Sequence, residues 1–251
     1  MDNSNDNHDL NALLINGATE FGIDLDSVQV EKFFSYMEII KSWNEKINLT
    51  SIEDDHEVII KHFLDSLSIY PFILKELMRG KDANVNIIDI GTGAGFPAIP
   101  LKIVLNETDI TMLDSIDKKI KFLDQCILSL GLNKLRAFHG RAEDYAHNKE
   151  HREVYDIAVA RAVANLPVLL EYCLPFVKKG GIFIAMKGRS IDEVIGSKKA
   201  IDILGGKIEE IKEIVLPFSD NIRNIIIIRK FRQTTTNYPR KAGKPSKMPL
   251  I

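Results

Sequence analysis

Apolar and polar positions follow two different periods along this chain, and the change falls near residue 84. Before it, Leu13, Leu14 and Phe21, then Phe33, Phe34, Met37, Ile40 and Trp43, recur at spacings of three and four. That is the spacing of helix faces turned towards a core. Asn48 to Ile52 breaks the rhythm and reads as a loop. Helix resumes over 56–70, and Pro71 opens a new segment. The polar, acidic stretch Met1 to His8 predicts a disordered start. Residues 1–83 are therefore expected to form an N-terminal helical cap.

Beyond residue 84, short apolar runs alternate with amphipathic stretches. The runs 85–90, 109–113, 135–139, 156–160 and 182–186 predict strands. The stretches 97–105, 117–130, 166–177 and 191–204 predict helices. Gly131 stands where a glycine closes a helix, and Lys179, Gly180 and Gly181 read as a turn. Segments 207–216 and 224–231 are joined too closely for a crossover helix, so they predict an antiparallel hairpin. Alternating β and α implies right-handed crossovers and a mainly parallel sheet with helices on both faces. The expected fold is α/β and Rossmann-like, with a seven-stranded sheet over 84–231 behind the cap.

Composition changes this picture little. The chain has 251 residues, 45% hydrophobic and 27% charged, with a net charge of −2. These values suit an ordinary globular protein and exclude a basic nucleic-acid binder by overall charge. The start has no basic and apolar signal sequence. No apolar run approaches the roughly 18 residues of a membrane span. Cys126 and Cys173 lack CxxC spacing and read as buried, reduced thiols of a cytoplasmic protein. No metal-ligand pattern is present. One local patch departs from the average. Residues 229–251 carry seven Lys or Arg and no Asp or Glu. Prolines 239, 245 and 249 and Gly243 argue against regular structure there. The tail over 232–251 reads either as a solvated end or as an arm against a phosphate backbone, through Arg240, Lys241, Lys244 and Lys247. As an arm alone, its removal is expected to spare affinity for a small ligand.

The candidate chemistry begins at the end of the first strand. Gly91, Gly93 and Gly95 follow Asp89 with the spacing G-x-G-x-G. A dinucleotide turn needs its third glycine where Phe96 stands, and a phosphate loop needs a Gly-Lys-Ser or Gly-Lys-Thr that is absent. The spacing instead fits the close backbone approach used for S-adenosylmethionine (AdoMet). Asp114, 23 residues after Gly91, ends the second strand. There a carboxylate can accept hydrogen bonds from a ribose diol, or cap the following helix, or do both. Glu143, after the third strand, stands either beside the adenine or as a helix-start acid. Arg161 and Lys187 end the fourth and fifth strands, where the switch-point rule puts substrate. His62 and Asp65 read either as an RNA-facing pair or as a link between cap and core, and Trp43 as core or as a base-stacking platform.

The ordered set of motifs resembles the RsmG (GidB) family. It comprises Asp89 to Pro97, Leu113 to Ser115 with Lys118 and Lys119, Arg141 to Glu143, Ala160 to Ala162, and Lys187 with Gly188. Asn48 to Thr50, His62 to Leu67 and Tyr238 to Pro245 complete it. Ala98 departs from the glycine expected there. The resemblance implies a class I methyltransferase that modifies N7 of a guanine in 16S ribosomal RNA, as naked RNA or in the small subunit. It implies AdoMet contacts from Gly91, Phe96, Asp114, Ser115, Ile116, Ala142, Glu143 and Arg161, with Gly93 in the same turn. A monomer is expected.

The residues agree by what they lack. The Asn/Asp-Pro-Pro-aromatic motif that holds an exocyclic amine is replaced by Ala160 to Ala164. Cys173 lies inside an apolar helix, not at a strand end where a pyrimidine C5 nucleophile belongs. Guanine N7 needs neither device, because it presents a lone pair and loses no proton. No obligatory acid or base is expected, only positioning by Arg161 or Lys187. A methyltransferase for small metabolites and a non-enzymatic RNA-binding protein are the rival readings. The basic tail opposes the first, and the intact glycine turn with Asp114 opposes the second.

Overall fold

The structure is a computed structural model describing residues 3–79, 85–188 and 192–251. The predicted change of period at residue 84, and Ile191 at the start of the last predicted helix, lie outside the described residues. The cap contains α1 (Asn3–Thr19), α2 (Ser27–Asn44), α3 (Asp55–Val58), a π-helical stretch (Ile59–Leu64), α4 (Asp65–Leu67) and α5 (Tyr70–Arg79). The start expected to be disordered is helical from Asn3. Leu10, Leu14 and Ala18 are buried and dock this helix. Asp26 caps α2 reciprocally with Gln29, each side chain accepting the other's backbone N–H. Across the Asn48–Ile52 break, Asn44 Oδ1 accepts the N–H groups of Leu49 and Thr50.

The remaining elements are β1 (Asn86–Ile90), α6 (Ala98–Val104), β2 (Asp109–Asp114), α7 (Asp117–Ser129), β3 (Leu135–His139), α8 (Ala142–Tyr145), β4 (Tyr155–Arg161), α9 (Leu166–Cys173), β5 (Val177–Lys187), α10 (Asp192–Gly196), α11 (Lys198–Ile203), β6 (Gly206–Val215), β7 (Ile222–Lys230) and α12 (Lys244–Lys247). They build one seven-stranded sheet in the order β3-β2-β1-β4-β5-β7-β6. The first five strands pair in parallel, and β7 runs antiparallel to both β5 and β6.

Side chains of β1 alternate between the two faces as a period of two requires. Ile87 joins an apolar cluster that also takes in Phe33, Phe63 and Ile73 of the cap. Ile88 and Ile90 join the opposite cluster, with Leu169, Leu170 and Phe183. The cap therefore continues the core of one sheet face. Trp43 belongs to this packing, edge-on to Phe122 at 5.8 Å and donating to Gln125 at 3.0 Å. Cys126 and Cys173 are buried, free thiols.

Two local expectations are corrected. Residues 179–181, read as a turn, lie within β5. A Cβ on Gly181 would stand 2.4 Å from the Asp156 carbonyl oxygen, so glycine here lets β5 pass close to β4 at a bulge. The tail does adopt a helical turn, α12. Pro245 falls in its first turn, where the missing N–H is no loss. Among the described residues no helix is long and apolar enough to cross a membrane.

Candidate functional site at the carboxyl edge of the sheet

β1 lies between β2 and β4, so successive crossovers leave it in opposite directions. That switch point opens a cleft outside the carboxyl ends of the strands. The cleft is lined from β1 by Ile90 and Gly91, and from β2 by Leu113, Asp114 and Ser115. Gly140, Arg141, Ala142 and Glu143 add the wall after β3, and Val163 and Tyr172 close the far side.

Gly91 shapes the floor. Its φ is +71°, and a Cβ there would meet Val163 Cγ2 at 2.7 Å. Both facts require glycine. Asp114 binds the turn from below, Oδ2 accepting the Gly93 N–H and Oδ1 the Ile116 N–H, each at 2.9 Å. Each oxygen keeps a second lone pair. Asp114 therefore organises the loop and retains capacity for a ligand, but it does not cap α7, whose N-cap residue is Ile116 with no side-chain cap bond. Asp89 is fully buried, with Oδ2 bound by Thr92 at 2.6 Å and Oδ1 unpartnered. Burial raises its pKa to about 7.

Five of the sequence-assigned residues line this cleft: Gly91, Asp114, Ser115, Ala142 and Glu143. Gly93 and Ile116 are bonded to Asp114 at its edge. Phe96 and Arg161 form a neighbouring assembly, with the guanidinium 4.8 Å from the ring centroid. The His62 ring also stacks on Phe96, at 4.5 Å. Arg161 donates to the Lys61 carbonyl at 3.1 Å, to Asp65 Oδ2 at 3.2 Å and to His62 Nδ1 at 3.3 Å. Asp65 is buried, and its other oxygen takes Arg223 Nε at 3.1 Å. Because Arg161 can only donate, His62 Nδ1 must be unprotonated, and Nε2 donates to Thr50 Oγ1 at 2.8 Å. Burial, then the Arg161 charge, lowers the His62 pKa to about 3. His62 and Asp65 thus join cap to core. The π-helical stretch sits where Arg161 reaches the Lys61 carbonyl, a guanidinium entering the helix ladder.

Lys187 is likewise engaged, donating to the Ala164 carbonyl at 3.0 Å and pairing with Glu193 at 3.0 Å. Glu193 also accepts the Leu166 N–H at 2.5 Å. The lysine therefore braces the loop 162–165 behind β4, in which Ala162 has φ +54°.

The tail is not free. Arg240, assigned to RNA by the sequence, instead binds the fully buried Glu171 with Nε and Nη2, at 2.9 and 2.6 Å. A buried carboxylate needs a cation, and Arg240 supplies it. Lys241, Lys244 and Lys247 are exposed. Sequence reading missed Val163 and Tyr172. Tyr172 hides within the apolar periodicity of α9, and Val163 sits in a short loop without a motif of its own.

The strand order, with its antiparallel seventh strand and a glycine-floored cleft at the switch point, defines the Rossmann-like fold of class I methyltransferases. The solved structure of the [4+2]-cyclase SpnF shares this fold, with a TM-score of 0.52 at 13% identity, covering 83% of this chain and 98% of that one. The likeness concerns the fold alone. The family model described as GidB, rRNA small subunit methyltransferase G, matches residues 29–226. The ribosomal RNA small subunit methyltransferase G of Acetivibrio thermocellus is 59% identical over 241 residues, 96% of this chain and 97% of that protein. The protein of the same name from Alkaliphilus metalliredigens is 50% identical over 240 residues, covering 95% and 98%. The chain belongs to the GidB family of small-subunit rRNA methyltransferases.

Proposed function

We propose that this methyltransferase uses AdoMet to methylate N7 of a guanine in 16S ribosomal RNA, in the cytoplasm, where ribosomes are made. The observation that carries the cofactor reading is the Gly91 floor beneath Asp114 and Glu143. Backbone without Cβ admits close approach, and two carboxylates at neighbouring strand ends suit the hydroxyl and amine donors of an adenosine. The unpartnered buried Asp89 Oδ1 near the turn suits a cationic ligand such as an amino-acid ammonium. Gly91, Gly93, Asp114, Ser115, Ile116, Ala142 and Glu143 would hold the cofactor. Bound there, AdoMet supplies an electrophilic methyl group.

The chain's own work is then binding, orientation and exclusion of water. N7 of guanine carries a lone pair and no proton, so no side chain has to remove one. Arg161 and Lys187 serve this scheme as positioning residues. Arg161 fixes the cap against β4 through Asp65, His62 and Lys61. Lys187 fixes the loop that carries Val163 into the cleft. RNA phosphates are assigned to Lys241, Lys244 and Lys247, whose exposed cations release counterions on binding. The protein is read as a monomer without a metal.

Incubation of the purified protein with methyl-labelled AdoMet tests the reading. Label is expected in small-subunit rRNA and not in a pool of free metabolites. Label in metabolites alone would refute it.

A further inference from the structure

The C-terminal tail does more than extend from the fold. Its first part is pinned by side chains of the preceding domain. Arg152 donates to the carbonyls of Thr234 and Tyr238 at 2.7 and 2.9 Å. The His147 ring binds the Pro239 carbonyl at 2.8 Å, and Arg240 binds Glu171. Past these anchors the chain reaches two of the cleft's lining residues. The Gly243 N–H donates to Glu143 Oε1 at 3.0 Å, and Ser246 Oγ meets the Tyr172 hydroxyl at 2.8 Å. Gly243 holds φ +78° with nothing within 4 Å of a Cβ position, so its turn is set by backbone conformation alone. Lys241, Lys244 and Lys247 flank these two contacts and are exposed.

We propose that the segment 241–247 is a strap that couples RNA capture to cofactor binding, with Gly243 and Ser246 as positioning residues acting through Glu143 and Tyr172. The inference rests on the cofactor and RNA assignments proposed above. The coupling arises from ordering of the strap. A phosphate held by Lys244 or Lys247 restrains the turn that carries the Gly243 N–H. Glu143 and Tyr172 are then already placed when the cofactor arrives, so less conformational freedom is lost on binding. Linkage makes the effect reciprocal: the cofactor must tighten RNA by the factor by which RNA tightens the cofactor.

The test uses S-adenosylhomocysteine, which has no methyl group to transfer, and purified small-subunit rRNA. Calorimetry gives the affinity of the full chain for each ligand with and without the other. For the unmodified protein each ligand is expected to tighten the other by the same factor, about three- to tenfold, the worth of one hydrogen bond held in place. Ser246→Ala, at an exposed position, and Gly243→Ala, which strains the turn, are expected to bring both factors towards one. Ser246→Thr keeps the hydroxyl and is expected to retain them. Binding of both ligands with factors of one in the unmodified chain, or undiminished factors in Ser246→Ala and Gly243→Ala, overturns the inference alone. Absence of S-adenosylhomocysteine binding overturns the cofactor reading and the inference together.

Discussion

The carboxylate of Asp65, on the cap, meets the guanidinium of Arg161, at the end of β4, at 3.2 Å across the seam between cap and sheet. Its second oxygen holds Arg223 of β7 at 3.1 Å. One buried acid thus ties the cap to two strands beside the cleft. Asp65→Asn leaves two largely buried guanidinium groups short of their counter-charge. A loss of about 3 kcal/mol is expected in urea unfolding, because breaking a buried pair strands the partner. Unchanged stability would remove Asp65 from the seam.

Gly91 tests the cleft floor. Gly91→Ala places a methyl group against Val163 and forces alanine to φ +71°. Strain of this kind is worth about 1–3 kcal/mol. A fall of about tenfold or more in AdoMet affinity is expected by calorimetry, with the far-ultraviolet spectrum retained. Full affinity would place the cofactor elsewhere.

The tail lysines set the salt response. Replacing Lys241, Lys244 and Lys247 by glutamine should flatten the plot of log affinity for rRNA against log salt by about 2 to 3 in slope. An unchanged slope would show that these cations touch no phosphate. Truncation from Arg232 is a poorer probe. It removes Arg240 from the buried Glu171 and the Gly243 N–H from Glu143. Contrary to the expectation from composition, it should therefore weaken cofactor binding as well.

His62 gives a pH signature. Its folded pKa is lowered to about 3, below the ordinary value of 6.5. Its contribution to stability is full above pH 6.5 and is lost as pH falls towards 3, since only the unfolded chain takes up the proton. The slope is at most about 1.4 kcal/mol per pH unit. Asp89, raised to about 7, acts oppositely, its contribution fading as pH rises to 7. The difference between the unmodified chain and His62→Gln isolates the histidine. The unmodified chain should lose stability relative to His62→Gln between pH 6.5 and 4, and parallel curves would contradict the assignment.

The strands were legible because buried parallel strands read as apolar runs, Asp114 because its spacing from Gly91 places it at a strand end, and Glu143 because it closely follows the third strand. The tail was not. Its Lys, Pro and Gly content resembles that of a solvated end, and its partner Glu171 sits inside an apolar helix that gives no hint of a buried acid. Arg161 and Lys187 were located correctly at strand ends, yet their partners lie in distant segments, Asp65 and Glu193. Only the folded chain shows these cations to be engaged with the protein itself.

The methyl group is proposed to go to N7 of one guanine. The direct measurement is nucleoside mass spectrometry of small-subunit rRNA after reaction with isotopically labelled AdoMet. The expected result is label on 7-methylguanosine alone, at one site. Label on adenosine or cytidine, or on the exocyclic amine of guanosine, would contradict it.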